Sequence, residues 1–351
     1  MVRRWRWTAL CALLALAVSC SGDDPSAEGP RRIPGLSGRI LAIGFSGGEN
    51  VQVYDLDTGE SAALPMPGGI QVLEAFWGPD GTTAYTLASG VSSLGTPTQT
   101  LRARLYEARP GAEARPVGRG LEDTNGETFS VSGSRVLASE CNAIDQRLLV
   151  LELDGARRWE RVASGCVGAL SSDGSAVLYA RGHRLVEKPL EGGAPEPVAD
   201  LRTVVEDDEP VRIEGIAGVR YANSALVAFV EVDNRVWPAI GKPGGSFRLV
   251  RLEDYPATPG VAPQPGGDLI ALTQAFGNAR TSSLIRMYDS STDDLAVVGA
   301  GNGGYFEPAW APSGEMMVAS NLASTWVFLD SSGEWVDVRK VTGLVARDWV
   351  E

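Results

Sequence analysis

Few residue types in this chain could carry out chemistry. His183 is the only histidine, and it lies in the stretch YARGHRLVEKP, where a turn between two strands is predicted. A single imidazole in a turn argues against a Ser-His-Asp triad and against a metal site built from several histidines. The stretch GFSGG at residues 44–48 matches G-x-S-x-G, but it does not open a helix after a parallel strand, as a nucleophile elbow requires. We interpret His183 as a surface turn residue and the serine motif as a glycine-rich loop.

One acidic stretch has the start of a calcium-binding pattern. YDLDTGE at residues 54–60 places oxygen ligands at alternating positions. It lacks the third ligand and the distant bidentate glutamate, so we interpret it as an Asp-Gly turn between outer strands. The sequence predicts no cofactor.

The N-terminal segment has the features of an export signal. MVRRWRWTALCALLALAVSC has a basic start and then an apolar stretch, shorter than the roughly 20 residues of a spanning helix. Its end, Ala17-Val18-Ser19-Cys20, resembles a bacterial lipobox, in which the cysteine receives a lipid, although alanine stands where leucine is usual. We predict a signal peptide at residues 1–19 and a lipidated Cys20 that anchors the protein to a membrane, with plain secretion as the alternative.

This processing predicts a tether and a disulfide. Residues 20–37 are polar and rich in Pro, Gly, Ser and Asp, a composition typical of a flexible tether. Once Cys11 leaves with the signal and Cys20 takes a lipid, Cys141 and Cys166 remain in an oxidising compartment. We expect these two cysteines to form a disulfide.

The charge of the chain excludes two classes of partner. There are 44 acidic and 31 basic residues, a formal charge of −13, and the loss of three arginines with the signal lowers it to −16. Nucleic-acid binding rests on cationic neutralisation of phosphates, so it is not expected. Attachment to anionic lipid through a basic surface is disfavoured for the same reason.

The elements that must position any site come from an internal repeat. EAFWGPDGTTAYTL at residues 74–87 and EPAWAPSGEMMVAS at 307–320 align without a gap, and weaker copies lie around residues 133, 174, 223 and 267. In each copy an apolar strand meets a tight turn and a second apolar strand returns. A third strand and an acidic turn follow, so about 45 residues hold the four strands of one propeller blade.

The spacing of the copies predicts how the ring closes. The turn positions 81, 133, 174, 223, 267 and 314 are 41 to 52 residues apart. Gly38 begins a second strand without a first, and Trp349 belongs to a first strand without a turn. We predict an all-β, seven-bladed propeller over residues 38–351, closed by pairing of the two chain ends. A degenerate copy around Asn223 leaves six or eight blades as alternatives.

The repeats resemble those of a known family. Trp77-Gly78-Pro79-Asp80-Gly81 and Trp310-Ala311-Pro312-Ser313-Gly314 are similar to the TolB-like, WD40-like (PD40) propeller repeat of bacterial envelope proteins. The resemblance implies a periplasmic scaffold that binds proteins or cell-wall components. Because the repeat dictates their positions, the tryptophans are expected to pack between blades.

Strand alternation predicts one face for binding. Connections between second and third strands and connections between blades lie on the same side of a propeller, which we call the connection side. We expect the following residues there: Cys141, Cys166, Glu74, Glu307, Glu206, Asp207, Asp208, Glu209 and Arg280. The alternative is that they belong to solvated loops. An acidic surface of this kind would favour a basic partner segment or a cation.

The sequence therefore favours a non-enzymatic module, lipid-anchored at the bacterial cell envelope, that binds an envelope protein, a cell-wall component or another ligand. We expect a monomer. One alternative is a propeller enzyme of the lactonase or lyase type with a carboxylate-held metal in the central channel. Another is a structural or surface-display protein without a discrete ligand.

Overall fold

The computed structural model describes residues 36–44, 51–90, 102–122, 124, 128–142, 145–223, 225–251, 259–274, 282–302, 308–321, 325–341 and 344–350. The predicted signal peptide and Cys20 lie outside these ranges, as do Glu307 and Arg280. The described fold begins at Leu36, two residues before the predicted boundary. Leu36 is only 2% exposed and packs in the same apolar cluster as Trp349.

The described residues form seven sheets and no helix, and all strand pairs are antiparallel except β16 with β21. The predicted propeller with seven blades is confirmed. Blade 1 contains β1 (Arg39–Gly44), β2 (Val51–Asp55), β3 (Ser61–Leu64) and the C-terminal β30 (Leu344–Val350). Blade 2 contains β4 (Ile70–Trp77), β5 (Ala84–Gly90), β6 (Ala103–Arg109) and β7 (Ala112–Leu121). Blade 3 contains β8 (Ser130–Ser132), β9 (Arg135–Cys141), β10 (Gln146–Glu152) and β11 (Glu160–Ala163). Blade 4 contains β12 (Gly168–Leu170), β13 (Ala176–Arg181), β14 (Arg184–Pro189) and β15 (Glu196–Asp200).

The remaining three sheets complete the ring. Blade 5 contains β18 (Gly215–Ala222), β19 (Ala225–Val232), β20 (Arg235–Gly241) and β21 (Phe247–Leu249), extended outward by the hairpin of β16 (Thr203–Glu206) and β17 (Glu209–Arg212). Blade 6 contains β22 (Pro259–Pro263), β23 (Leu269–Gln274), β24 (Ser282–Asp289) and β25 (Asp294–Asn302). Blade 7 contains β26 (Ala309–Trp310), β27 (Met316–Ser320), β28 (Thr325–Asp330) and β29 (Trp335–Lys340).

The two chain ends meet in blade 1, as the repeat predicts. The sheet order is β3-β2-β1-β30, so the C-terminal strand is the innermost strand of a blade whose other strands come from the N-terminal end. Ile40 lies opposite Trp349 and Ile43 opposite Val345. Joining the ends in one sheet closes the ring, so blade 1 does not leave the inner edge of β1 unpaired.

The repeated tryptophans connect neighbouring blades. Trp310 of blade 7 donates its indole N–H to the carbonyl of Ala262 in blade 6, at 2.9 Å. Trp349 packs edge-on against Phe328 of blade 7, with ring centroids 6.0 Å apart. Both indoles are at most 7% exposed. The tryptophans are therefore part of the packing between blades, as expected.

The tight turns have positive φ at the predicted positions, except in blade 6, where it lies one residue earlier. Gly81, Gly133, Gly174 and Gly314 have φ between 54° and 74°, and Asn223 has φ 46° in the same role. In blade 6 the positive φ belongs to Gly266, at 67°, and not to the predicted Gly267. Two adjacent glycines allow either position to take the left-handed conformation, because neither has a Cβ.

Candidate functional site

The inner strands of blades 1 and 2 bring together three charged side chains. Arg347 is the extra residue of a bulge in β30, since Leu41 pairs with Asp348 and Ala42 with Ala346. A bulge re-aims its side chain out of the regular alternation. The Arg347 Nε lies 3.5 Å from Glu74 Oε1 on β4, an ion pair without hydrogen-bond geometry. This contact links the closing strand to the next blade.

Asp348 is held by backbone donors from two blades. Its Oδ2 accepts a hydrogen bond from the Trp77 backbone N–H at 2.6 Å, and its Oδ1 accepts one from the Trp349 N–H at 2.8 Å. Burial raises the pKa of Asp348 to about 6, the charge of Glu74 adds to this rise, and the two backbone donors oppose it. Asp348 can therefore change its charge close to neutral pH.

The same connection between blades occurs elsewhere in the ring. Ser130 Oγ on β8 accepts a hydrogen bond from the Leu170 N–H of blade 4, at 2.8 Å. Asp348 and Ser130 thus each receive a backbone N–H from the inner strand of the following blade. Asp348 therefore has a structural role, because it connects two blades, in addition to its capacity to titrate.

A disulfide connects blades 3 and 4. Cys141 ends β9, Cys166 lies two residues before β12, and their Cα atoms are 5.3 Å apart. The hydroxyl of Thr128 donates to the carbonyl of Cys166 beside it. The predicted pairing is confirmed, and it lies on the connection side, where β9 ends and the next blade begins.

An ion pair beside the disulfide connects blades 2 and 3. Glu140 has a side chain only 8% exposed and accepts two parallel hydrogen bonds from Arg119, at 2.5 and 2.9 Å. It also accepts the Glu122 backbone N–H at 3.1 Å. The hydrogen bonds from Arg119 hold the pKa of Glu140 below its usual range, although burial acts in the opposite direction. The carboxylate therefore stays ionised and fixes the end of β7 against β9.

Further arginines lie at strand ends and connections of blades 2 to 4. Arg147 lies 3.8 Å from Glu140, Arg161 lies 3.9 Å from Asp145, and Arg184 and Arg202 share Asp200. We call the following set the arginine surface: Arg102, Arg119, Arg147, Arg161, Arg181, Arg184 and Arg202. The described acidic residues that pair with this set are Glu122, Glu140, Asp145 and Asp200. Six of these seven arginines share the four carboxylates.

The predicted acidic candidates do not come together. Residues 206–209 form the turn of the hairpin β16–β17, at the outer edge of blade 5, whereas Glu74 lies on the innermost strand of blade 2. Within that turn Glu206 pairs with Arg251 at 2.5 Å, and Asp207 and Asp208 have φ values of 47° and 68°. The acidic insert is therefore an edge hairpin, separated from the inner strand β18 by three strands of its own sheet.

His183 and the other sequence candidates form no metal-binding group among the described residues. His183 lies in the turn between β13 and β14, and its carbonyl accepts the Leu201 N–H at 2.7 Å. Within the described ranges, no three His, Cys, Asp or Glu side chains are grouped closely enough to hold a metal ion. No helix among the described residues is long and apolar enough to span a membrane.

Sequence reasoning missed Asp348 and the Arg119–Glu140 pair. Asp348 stands in RDWV, between Arg347 and Trp349 of an inner strand, and two adjacent charges in an inner strand were an available signal. Glu140 precedes Cys141 directly, which could have marked it as a neighbour of the disulfide. Nothing in the sequence relates Arg119 to either.

Comparison with known proteins gives similarity in structure alone. No protein-family model and no curated protein matches the sequence. TolB from Acinetobacter baumannii is 15% identical with a TM-score of 0.47, over 75% of this chain and 64% of TolB, so the chain spans less than two thirds of TolB. A putative 6-phosphogluconolactonase from Bacteroides uniformis is 14% identical with a TM-score of 0.53, over 89% of this chain and 98% of that chain.

A third similar structure belongs to an assembly. A chain of the Mitotic Checkpoint Complex is 14% identical with a TM-score of 0.50, over 87% of this chain and 96% of that chain. At such identities the likeness concerns the fold and not the activity. The protein is a seven-bladed β-propeller whose fold occurs in proteins of unrelated roles.

Proposed function

We propose that the protein is a non-enzymatic binding module, exported and lipid-anchored through Cys20 at the bacterial cell envelope. The observation that carries this proposal is the arginine surface of blades 2 to 4, together with the Cys141–Cys166 disulfide that joins two of these blades. A covalent link and a bidentate ion pair hold the connections of three blades in place there. A surface that is rigid before binding loses less entropy when a partner docks.

The chemistry of this surface favours an anionic partner. Arginine presents a planar fork of donors that matches carboxylate and phosphate groups. Arg181 ends β13 beside the turn that holds His183, and no described residue pairs with its side chain. The expectation of a basic partner concerned the acidic insert; on the arginine surface a carboxylate-rich protein segment or an anionic cell-wall polymer fits better.

The export part of the proposal rests on the disulfide. Disulfides persist in the periplasm and outside the cell and are rare in the cytosol. We expect part of the protein to sediment with the membrane fraction, and this membrane association should depend on the lipid at Cys20. If a Cys20→Ala variant remained in the membrane fraction, the lipid anchor would be refuted.

The binding role can be tested by cross-linking in living cells. The tagged mature protein is cross-linked and the captured proteins are identified by mass spectrometry. We expect a small reproducible set of envelope proteins, lost in the Arg147→Glu/Arg181→Glu variant. An Arg212→Glu variant, altered on the outer strand β17, serves as the control and should keep the set. An empty set from abundant folded protein, or a set unchanged by the double variant, would contradict the proposal.

One observation favours the enzymatic alternative. Asp348, whose pKa is raised to about 6, lies on the inner strand β30 within electrostatic reach of Glu74. A carboxyl group with such a pKa is suited to acid–base chemistry near neutral pH. Against a carboxylate-held metal, Glu74 is already paired with Arg347, and Asp348 accepts two backbone hydrogen bonds. Tight zinc or manganese binding in equilibrium dialysis, lost in Glu74→Gln, would favour the enzyme.

A further inference from the structure

Exposed apolar side chains collect on two neighbouring outer strands. Within the described ranges, the large hydrophobic residues that are most exposed are Leu295, Val297, Trp335, Val336 and Val338, between 37% and 57% exposed. The first two belong to β25 of blade 6 and the other three to β29 of blade 7. Isolated exposed apolar residues are ordinary, but a group confined to adjacent strands marks an interaction surface.

The outer strands of three other blades contain proline. Pro116 in β7, Pro197 in β15 and Pro210 in β17 each remove a backbone donor from an edge. Natural sheets use proline and charge at their edges to prevent the addition of foreign strands. Neither β25 nor β29 contains proline, and β25 has nine residues. β29 carries Asp337, Arg339 and Lys340, and the outer strands of blades 1 and 3 have only four residues each. Among the described outer strands, β25 is therefore the longest that lacks proline.

The free edge of β25 has apolar side chains on both of its faces. β25 pairs only with β24, and Val297 lies opposite Arg286, whose guanidinium donates to the carbonyl of Arg251 in blade 5. Leu295 and Val297 thus lie on the face toward blade 5. On the other face, the indole N–H of Trp335 donates to the Val298 carbonyl at 3.3 Å. A strand added to this edge would place alternate side chains against each apolar group.

The end of this surface is acidic. β24 ends at Asp289 and β28 ends at Asp330, directly before the turns that lead into β25 and β29. Asp293 in the first of these turns is paired with Arg248 at 3.1 Å. Hydrogen bonds from Ser291 hold the pKa of Asp289 below its usual range, and those from Ser332 do the same for Asp330. These carboxylates stay ionised, so a segment that reaches the turns gains from positive charge.

We propose that the β25 edge binds an extended segment of a partner protein as an added β-strand. The segment alternates apolar residues and carries lysine or arginine at the end that meets the turns at Asp289 and Asp330. Backbone hydrogen bonds supply the affinity in such strand addition, and the side-chain positions supply the specificity. The inference rests on the proposed binding function, but it uses a different surface from the arginine surface.

Two synthetic nonapeptides test this directly. Both alternate valine and threonine, one with a lysine pair at its N-terminus and one at its C-terminus, and binding to the mature protein is followed by fluorescence anisotropy. We expect saturable binding of at least one peptide, weakened about tenfold or more by Val297→Lys. Ala63→Lys, on the exposed outer strand β3, is the matched control and should leave binding unchanged. Methylation of alternate peptide nitrogens should abolish binding, because it removes the donors that a strand needs.

Several results would overturn the proposal. Strand addition at β25 would be excluded if neither peptide bound. It would also be excluded if binding survived Val297→Lys or peptide N-methylation. A dimer in sedimentation velocity that Val297→Lys dissociates would assign the edge to a second copy of this chain. Flotation of the Cys20→Ala protein with anionic vesicles, if Val297→Lys prevents it, would assign the edge to lipid. If the peptides fail while the captured proteins still depend on Arg147 and Arg181, the binding module stands and only this inference falls.

Discussion

Asp348 accepts backbone hydrogen bonds from two blades, and burial disfavours its charged form. Its Oδ2 lies 2.6 Å from the Trp77 nitrogen, and burial raises its pKa to about 6. An aspartate in an unfolded chain titrates near 3.9. Between these values the folded protein keeps a proton that the unfolded chain has lost, so stability falls as pH rises from about 4 through 6.

We predict that Asp348→Asn removes this part of the pH dependence. The stability lost between pH 4.5 and 7.5 is on the order of 2 kcal/mol, which corresponds to roughly 3 °C in Tm for a domain of this size. The amide also places an NH₂ against one backbone N–H, which lowers stability by a constant amount at every pH. Thermal unfolding across this pH range measures the slope.

Asp173→Asn is the control for that experiment. The Ser171 hydroxyl lowers the pKa of Asp173 to about 2, so its stabilising effect is complete above about pH 4 and is lost only as pH falls further. The slope between pH 4.5 and 7.5 should match the wild type. An Asp348→Asn slope identical to the wild-type slope would show that Asp348 has an ordinary pKa.

Arg119 holds a carboxylate that water scarcely reaches. Arg119→Lys keeps the charge but loses the two parallel hydrogen bonds to Glu140, so we predict a loss of about 1 to 3 kcal/mol in the free energy of unfolding. Urea-induced unfolding measures it. Arg102→Lys alters an exposed pair, with side chains 81% and 65% exposed, and should change stability by less than about 0.5 kcal/mol. Equal effects of the two variants would refute a special role for Arg119.

At the scale of elements, the closing strand β30 decides whether the ring is intact. Trp349 is 4% exposed and donates its indole N–H to the Ser37 carbonyl at 3.0 Å, so it ties the C-terminal strand to the start of the fold. Ala346 N–H donates to Ser320 Oγ of blade 7 at 2.8 Å. Together with Asp348, these contacts join β30 to both of its neighbouring blades.

We predict that Trp349→Ala lowers the free energy of unfolding by about 3 to 5 kcal/mol, because it opens a cavity between blades 1 and 7. Trp335→Ala provides a matched tryptophan control on an outer strand. That indole is 44% exposed, and its loss should lower stability by less than about 1 kcal/mol. Chemical unfolding of both variants makes the comparison, and a Trp349→Ala loss no larger than the Trp335→Ala loss would argue against closure through β30.

At the scale of the whole molecule, blades 3 and 4 are joined covalently and the others are not. The disulfide spans 25 residues, and the chain-entropy estimate for a loop of that length is about 3.5 kcal/mol. We predict that reductant lowers the Tm of the mature protein and that Cys141→Ser/Cys166→Ser lowers it without reductant. Reductant should leave the Tm of the double variant unchanged. Intact mass measured without reductant checks the pairing, and two free thiols would refute it.

The two surfaces of interest lie apart on the ring. The arginine surface belongs to the connection side of blades 2 to 4, whereas the apolar edge belongs to the outer strands of blades 6 and 7. Their chemistry differs as well, because one presents guanidinium groups and the other presents apolar side chains beside acidic turns. A ring of separate blades allows this, since each blade exposes its own edge and connections.

The architecture could be predicted from the sequence because it depends on local patterns. Apolar strands and tight-turn glycines recur at a regular distance along the chain. Asn223, with φ 46°, takes the glycine position in one of these turns. The pairing of β1 with β30 followed from the same count, since Gly38 and Trp349 each lacked a partner strand. The disulfide followed from two remaining cysteines and the alternation of strands.

The candidate sites depended on the tertiary structure, because they join residues that are far apart in the chain. Asp348 and Trp77 are 271 residues apart, and only closure of the ring places that carboxylate under a backbone N–H. The acidic insert forms an edge hairpin because Val205 of β16 pairs with Arg248 of β21. Composition does not predict this strand pairing. The repeat determines which residues begin and end each strand, whereas burial, charge pairing and exposure arise only when neighbouring blades pack.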